Sequence, residues 1–293
     1  MSTYAVSPAQ LVRRFWRLTT PTWALVLLES ASLVAMPLVI GRAVDGLMSE
    51  SFSGLVELAA LCALLLLVGA GRRVYDTRAY ARIYRTVAGE LVAHEQRRGT
   101  SLSKIAARSN LLTELTYFLE ESIPSIFQQL VNLAGTLVII ALIDSKVFGV
   151  CLACMIFTAG VYSASEKRIF RLNKGANDEL ERQVDVLASR GSREIHGHFE
   201  RLMGWRIKLS DLETLNFSLI WIALACLLVF TVAIVTSAGE ASFGLIVSAV
   251  MYVFGFTESV LALPLYFQQL IRLREITTRL ARPDGPGSVA VPS

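Results

Sequence analysis

Two carboxylates stand where carboxylates are costly. Glu29 and Glu258 each lie within an apolar run long enough to cross a bilayer, and an ionisable side chain in such a run is a functional candidate by default. At 1.5 Å of rise per residue, Glu29 lies about 12 Å along a helix from Pro21 and Glu258 about 22 Å from Phe243. In a hydrocarbon core of roughly 30 Å these depths place both acids in the inner half. A carboxyl group removed from water can carry a proton or receive a cationic substrate, so two acids lining one cavity would suit a transport pathway. The competing reading is that each bonds to a neighbouring helix or faces a hydrated cleft. No Lys or Arg falls within the core of any apolar run to neutralise them.

A polar stripe is the second feature. Ser125, Gln128, Gln129, Asn132 and Thr136 recur at steps of three and four within one apolar run, which puts them on one helix face, directed at the bundle interior. Such residues serve as glue between helices or as a cavity wall that touches substrate. Gln128, Asn132 and Thr136 join the two glutamates as pathway candidates. Tyr252, Phe254, Phe256 and Trp221 could add aromatic surface, although aromatic residues in spans also pack. Cys151 and Cys154 have C-x-x-C spacing, but they lie in the apolar run from Val147 to Ala159 without a partner pair or ligating histidine, so they read as buried and inert. His196 and His198 flank Gly197 at a spacing that does not share a helical face, and His94 is remote in sequence. No metal, no cofactor and no catalytic residue is expected, because no nucleophile stands with a base.

The elements that position these residues follow from composition. Hydrophobic residues make up 54% of the 293 and the mean hydropathy is +0.53, values that belong to a membrane protein. Six runs are long enough to span: Pro21–Leu47, Leu55–Gly71, Ile123–Ile143, Val147–Ser163, Phe217–Val235 and Phe243–Leu263. Basic residues orient them, since Lys and Arg are retained on the cytoplasmic side. Of 28 basic residues, 26 fall in the N-terminus, 72–121, 166–216 and the tail, leaving Arg42 and Lys146 on the other side. Both termini are therefore expected in the cytosol of a bacterial-type inner membrane. The excess of positive charge follows topology and forms no stripe for nucleic acid.

The links on the outer side are short, whereas the two inner segments, 72–122 and 166–216, are too long for structureless loops. Asp76–Glu95 and Asn177–Leu187 have helix formers, mixed charge and no proline. Arms of about 20 residues would each project roughly 30 Å. Gly99 in the first segment, and Gly191 and Gly197 in the second, mark the turns. Residues 1–20 are expected to include an amphipathic segment, Pro8–Thr20, lying on the inner leaflet with Leu11, Phe15, Trp16 and Leu18 facing lipid. The six-helix domain would cover 21–280, followed by a disordered tail, 281–293. The fold class is thus an all-α membrane protein, six transmembrane helices with two long cytosolic helical hairpins.

That architecture resembles the transmembrane domain of ABC exporters. The run Pro37-Leu-Val-Ile-Gly41-Arg-Ala-Val-Asp45 resembles the end of that family's first span, and Arg272-Leu-Arg-Glu-Ile-Thr-Thr-Arg279-Leu resembles the exit of its sixth helix. The resemblance implies a dimer and makes the turns near Gly99–Ala106 and Ala188–Ile195 coupling helices that dock on ATPase domains, with Gly99, Lys104, Gly191 and Arg193 as their marker residues. It implies that the second turn reaches the partner subunit. The chain departs from the family in carrying no Gly-Lys or Gly-Gly dipeptide, so neither a Walker A loop nor the family's signature loop can form. Asp178-Glu179 follows Gly175-Ala-Asn177, not the apolar strand of a Walker B motif.

Three functions fit these features. One is a transporter subunit, homodimeric or heterodimeric, with its ATPase on a separate chain. Another is a proton-driven transporter on the same scaffold, resembling the SbmA-like peptide importers in architecture. The third is a membrane scaffold that transports nothing.

Overall fold

The structure, a computed structural model, describes residues 8–188, 191–237 and 241–281. Nine α-helices run along the described chain: α1 (Pro8–Arg14), α2 (Trp16–Met48), α3 (Ser53–Arg97), α4 (Leu102–Tyr117), α5 (Ile123–Ile143), α6 (Ser145–Glu181), α7 (Gln183–Ala188), α8 (Ser192–Ser237) and α9 (Phe243–Ala281). A π-turn, Phe118–Ser122, joins α4 to α5 without interrupting the rod. Six rods are long and apolar enough to cross a membrane. Each contains one of the six expected runs, and the polar stretches between them continue as helix. The expected tail beyond Ala281 lies outside the described residues, as do positions 189 and 190 of the second turn.

The ends of the rods are set by local chemistry. Asp144 accepts from the backbone N–H of Lys146 and Val147, at 2.7 and 3.1 Å, capping α6 within one residue of the end of α5. Gly99 closes α3 with φ of +68°. The N–H of Thr100 reaches the carbonyl of Glu95 and that of Gly99 the carbonyl of Gln96, the paired bonds of a left-handed helix stop. The end of α2 is built alike, with Glu50 at φ of 57°.

The chain divides into two compact units. The first holds the described residues of Met1–Ile139 and Ala241–Ser293, in which α2 packs between α3 and α9. The run Pro37–Asp45 forms the α2 face of that seam. Ser248 donates to the carbonyl of Pro37 at 2.8 Å, and Asp45 accepts from the Ser242 hydroxyl at 2.6 Å and the Gly244 N–H at 2.7 Å. Between them Gly41 lies against Gly244 so closely that a Cβ on either would overlap the other's backbone. The residues that carry the family resemblance are thus those that let α2 and α9 touch.

Beyond the apolar part of the first unit, α3, α4 and α9 share a second core. Tyr80, Ile83, Val87 and Leu91 of α3 meet Leu112 and Leu115 of α4 and Ile276 of α9. This core corrects the expected lipid-facing N-terminus. Leu11 is buried in it and Phe15 and Leu18 pack against it, while Arg14 pairs with Glu90 at 2.6 Å. Trp16 alone of the four is exposed, at 57%.

The second unit, Ile140–Glu240, is α6 packed on α8, with α7 against α8. Cys151 and Cys154 are buried in it, as are Ile220, Leu224 and Leu227, and Ser165 donates to Asn216 Oδ1 at 2.8 Å. Gly175 admits the Trp205 ring, which would lie 2.9 Å from a Cβ there.

Candidate functional site

Within the first unit, α2, α5 and α9 enclose a half-open cavity of about 120 Å³. From α5 it takes Gln129, Asn132 and Thr136, whose steps of three and four align them on one face. From α9 it takes Tyr252, Glu258 and Ser259, and from α2 Leu33, Val34 and Pro37. Tyr252 donates its hydroxyl proton to the Val34 carbonyl at 2.6 Å, bracing the wall. Asn132 Oδ1 is buried and has no hydrogen-bond partner, whereas a buried polar atom is normally paired. None of the lining side chains is basic. The cavity therefore combines one carboxyl group, one uncommitted acceptor and an apolar wall.

The structure brings together three of the five sequence candidates, Glu258, Asn132 and Thr136. Gln129, not Gln128, completes the α5 wall, and Ser125 turns its hydroxyl back onto the Glu121 carbonyl at 2.7 Å. Of the aromatic candidates Tyr252 alone lines the cavity; Phe256 is packed and Phe254 faces outward. Trp221 belongs to the second unit, stacked on Phe217 with ring centroids 6.2 Å apart.

Glu29 is elsewhere, and it is neutralised. Arg72 Nε donates to Glu29 Oε2 at 2.6 Å, and Arg72 Nη1 lies 3.5 Å from Asp76 Oδ2. The other Asp76 oxygen accepts from Thr22 at 2.6 Å. The expectation of two unpaired acids in one cavity is corrected here: Arg72, one residue past the second apolar run, reaches back to Glu29. The signal was present in the numbering. Two antiparallel rods joined by a turn near residues 50 and 51 place 29 opposite 72.

The turns that join the long rods are also built from ion pairs. Under the first, Glu95 is held by the Arg108 guanidinium and by the Thr100 hydroxyl at 2.7 Å. Burial pushes the Glu95 carboxyl up, but Thr100 and Arg108 outweigh it and hold the carboxyl below its ordinary value. Under the second, Glu179 accepts from Arg201 Nε at 3.0 Å and stands 2.9 Å from His198 Nδ1. Here too burial acts upward and is outweighed by the His198 and Arg201 bonds, so the carboxyl lies below its ordinary value. After the first turn Leu102 begins α4, which places Lys104 in the first turn of a long helix, where it is exposed. The second holds the separate helix α7, ahead of Gly191 and the exposed Arg193. Gly197 is not a turn residue, being inside α8. Leu102, Val184 and Leu187 stand exposed at these two ends, Leu102 at 81% and Val184 at 75%.

Residues 10–244 match the family described as the ABC transporter transmembrane region. The chain belongs to that family. No curated protein matches the sequence significantly. As an ABC transporter transmembrane region the chain is a component of a membrane transporter.

Proposed function

We propose that this ABC transporter transmembrane region is the membrane subunit of a transporter that works as a dimer in a bacterial-type inner membrane, moves a small molecule or peptide, and is driven by an ATPase on a separate chain. The observation that carries the reading is the exposure of Leu102, Val184 and Leu187 at the two rod ends. These ends lie in the basic segments 72–121 and 166–216, on the side the positive residues assign to the cytosol. Covering large apolar side chains that a helix end holds out in water is favourable, which supports a docked partner there, and transmembrane regions of this family act with ATPases. The chain itself has no loop to hold ATP phosphates, so it acts through docking and not as an enzyme. The proton-driven alternative draws on Glu258 alone, since Glu29 is held by Arg72.

The test is photo-cross-linking from positions 102 and 184 in native membranes. The expected product is a polypeptide with a Walker A loop, whose ATP hydrolysis this chain stimulates and Leu102→Asp or Val184→Asp abolishes. Uptake that collapses with an uncoupler, needs no ATPase and ignores both substitutions would overturn the proposal in favour of the gradient-driven one.

A further inference from the structure

The cavity between α2, α5 and α9 has a definite chemical preference. Its single carboxyl group is Glu258, and no basic side chain lines it. An anion entering there would meet a carboxylate with nothing to offset the repulsion. Most of its other polar groups can accept hydrogen bonds. Asn132 Oδ1 is buried without a donor, and Tyr252, whose proton is committed to the Val34 carbonyl, retains acceptor capacity only. Gln129, Thr136 and Ser259 each add an oxygen. Leaving a buried acceptor unpaired is unfavourable, so a ligand that brings N–H groups satisfies what the protein leaves open.

Size narrows the class further. A dry cavity of about 150 Å³ holds benzene in another protein, so the 120 Å³ here is room for a head of a few heavy atoms. The cavity is half-open, which leaves the remainder of a longer ligand outside it, and Leu33, Val34, Pro37 and Met251 offer apolar surface to the first methylenes. We infer that the cavity takes the head of a hydrogen-bond-donating organic cation, a primary alkylammonium or a guanidinium, carried on an apolar body. This rests on the transporter reading only in treating the cavity as a substrate site.

Three probes with one six-carbon tail separate the contributions: hexylammonium, hexyltrimethylammonium and 1-hexanol. Binding to the full chain in nanodiscs of zwitterionic lipid is measured by calorimetry, with empty discs as the blank for partition into lipid. Hexylammonium is expected to bind about tenfold or more tighter than hexanol, because its N–H groups meet a charged acceptor, and about threefold to tenfold tighter than the quaternary amine, which has charge but no donor. Glu258→Gln should bring the amine down to the level of the alcohol. Asn132→Leu should erase the preference over the quaternary amine and keep the preference over the alcohol.

Equal affinities for the three probes, or amine binding that survives Glu258→Gln, would overturn the inference. The order of the probes on the unsubstituted chain decides the matter even if a variant does not fold. Because binding is read without transport, the two readings fail separately. An ATP-driven transporter that binds the three probes alike sinks this inference alone, and a chain that shows the order but transports nothing sinks the transporter reading alone.

Discussion

Arg72 is where one side chain settles most. It is 15% exposed, against 17% for Glu29 and 5% for Asp76, so its removal leaves two shielded carboxylates without a counter-charge. Breaking such a pair from one side costs roughly 3–5 kcal/mol, whereas neutralising every member together is far milder. Arg72→Met is therefore expected to lower the midpoint of thermal unfolding in detergent sharply, and the triple change with Glu29→Gln and Asp76→Asn to recover most of the loss. A triple variant no more stable than Arg72→Met would show that packing of the arginine stem, not its charge, holds α2 to α3. Glu95 makes the same argument in pH. Its carboxyl is held below the ordinary value of 4.5 by Thr100 and Arg108 against the effect of burial. Stabilisation from a depressed carboxylate is complete above the unfolded value and is lost as pH falls through the folded one. The turn at 98–101 should stay protected from amide exchange at pH 4.5 and open below it, and in Glu95→Gln it should exchange faster already at neutral pH.

The rods themselves depend on where glycine sits. A glycine in a helix interior is less favourable than alanine by about 0.8–1.0 kcal/mol, so Gly→Ala stabilises unless the new methyl has no room. Gly89 in α3 has nothing within 4 Å of an added Cβ, whereas at Gly41 the added atom would overlap the Gly244 backbone and the Ser248 hydroxyl. Overpacking of a tight contact costs typically 1–3 kcal/mol. Opposite signs are expected in the same unfolding assay: Gly89→Ala slightly more stable, Gly41→Ala less. A stabilised Gly41→Ala would mean that α2 and α9 separate without penalty. What was legible in the sequence divides along this line. Apolar runs of bilayer length, the polar stretches between them and the stripe from Gln129 to Thr136 are local patterns, readable at period 3.6. Contacts between rods are not local: Glu29 with Arg72 spans 43 positions, Glu179 with His198 spans 19 and Glu95 with Arg108 spans 13. All three pairs are nearly equidistant from a turn, so a hairpin register could have found them. Nothing in the pattern distinguishes Gln128 from Gln129 until α2 and α9 define which side of α5 is inward. Leu11, Phe15 and Leu18 misled because an apolar face fits a protein core as well as a lipid surface.

At the scale of the molecule, the second unit carries an exposed apolar stripe that the proposed dimer would cover. Phe199, Met203 and Ile207 follow one another at steps of four along α8 and are exposed, Ile207 at 60%, with Phe170 of α6 exposed as well. The three on α8 precede the apolar run that starts at Phe217 by about 15 Å or more, so lipid tails do not cover them in an upright rod. A stripe at that spacing is one face of a helix, and covering each large side chain is worth about 1.5–3 kcal/mol. The proposed second copy is the occupant that this family's dimeric arrangement supplies. In lipid nanodiscs the assembled particle should hold twice the chain mass of 32.2 kDa, and Ile207→Asp, which places a charge in the covered stripe, should shift it toward a single copy at low concentration. Arg206→Asp is the matching control, since Arg206 is exposed and charged already; it leaves the apolar stripe intact and should keep the dimer. An active, stable single copy would refute the dimer. A dimer that withstands Ile207→Asp would place the contact elsewhere and leave the stripe to the ATPase.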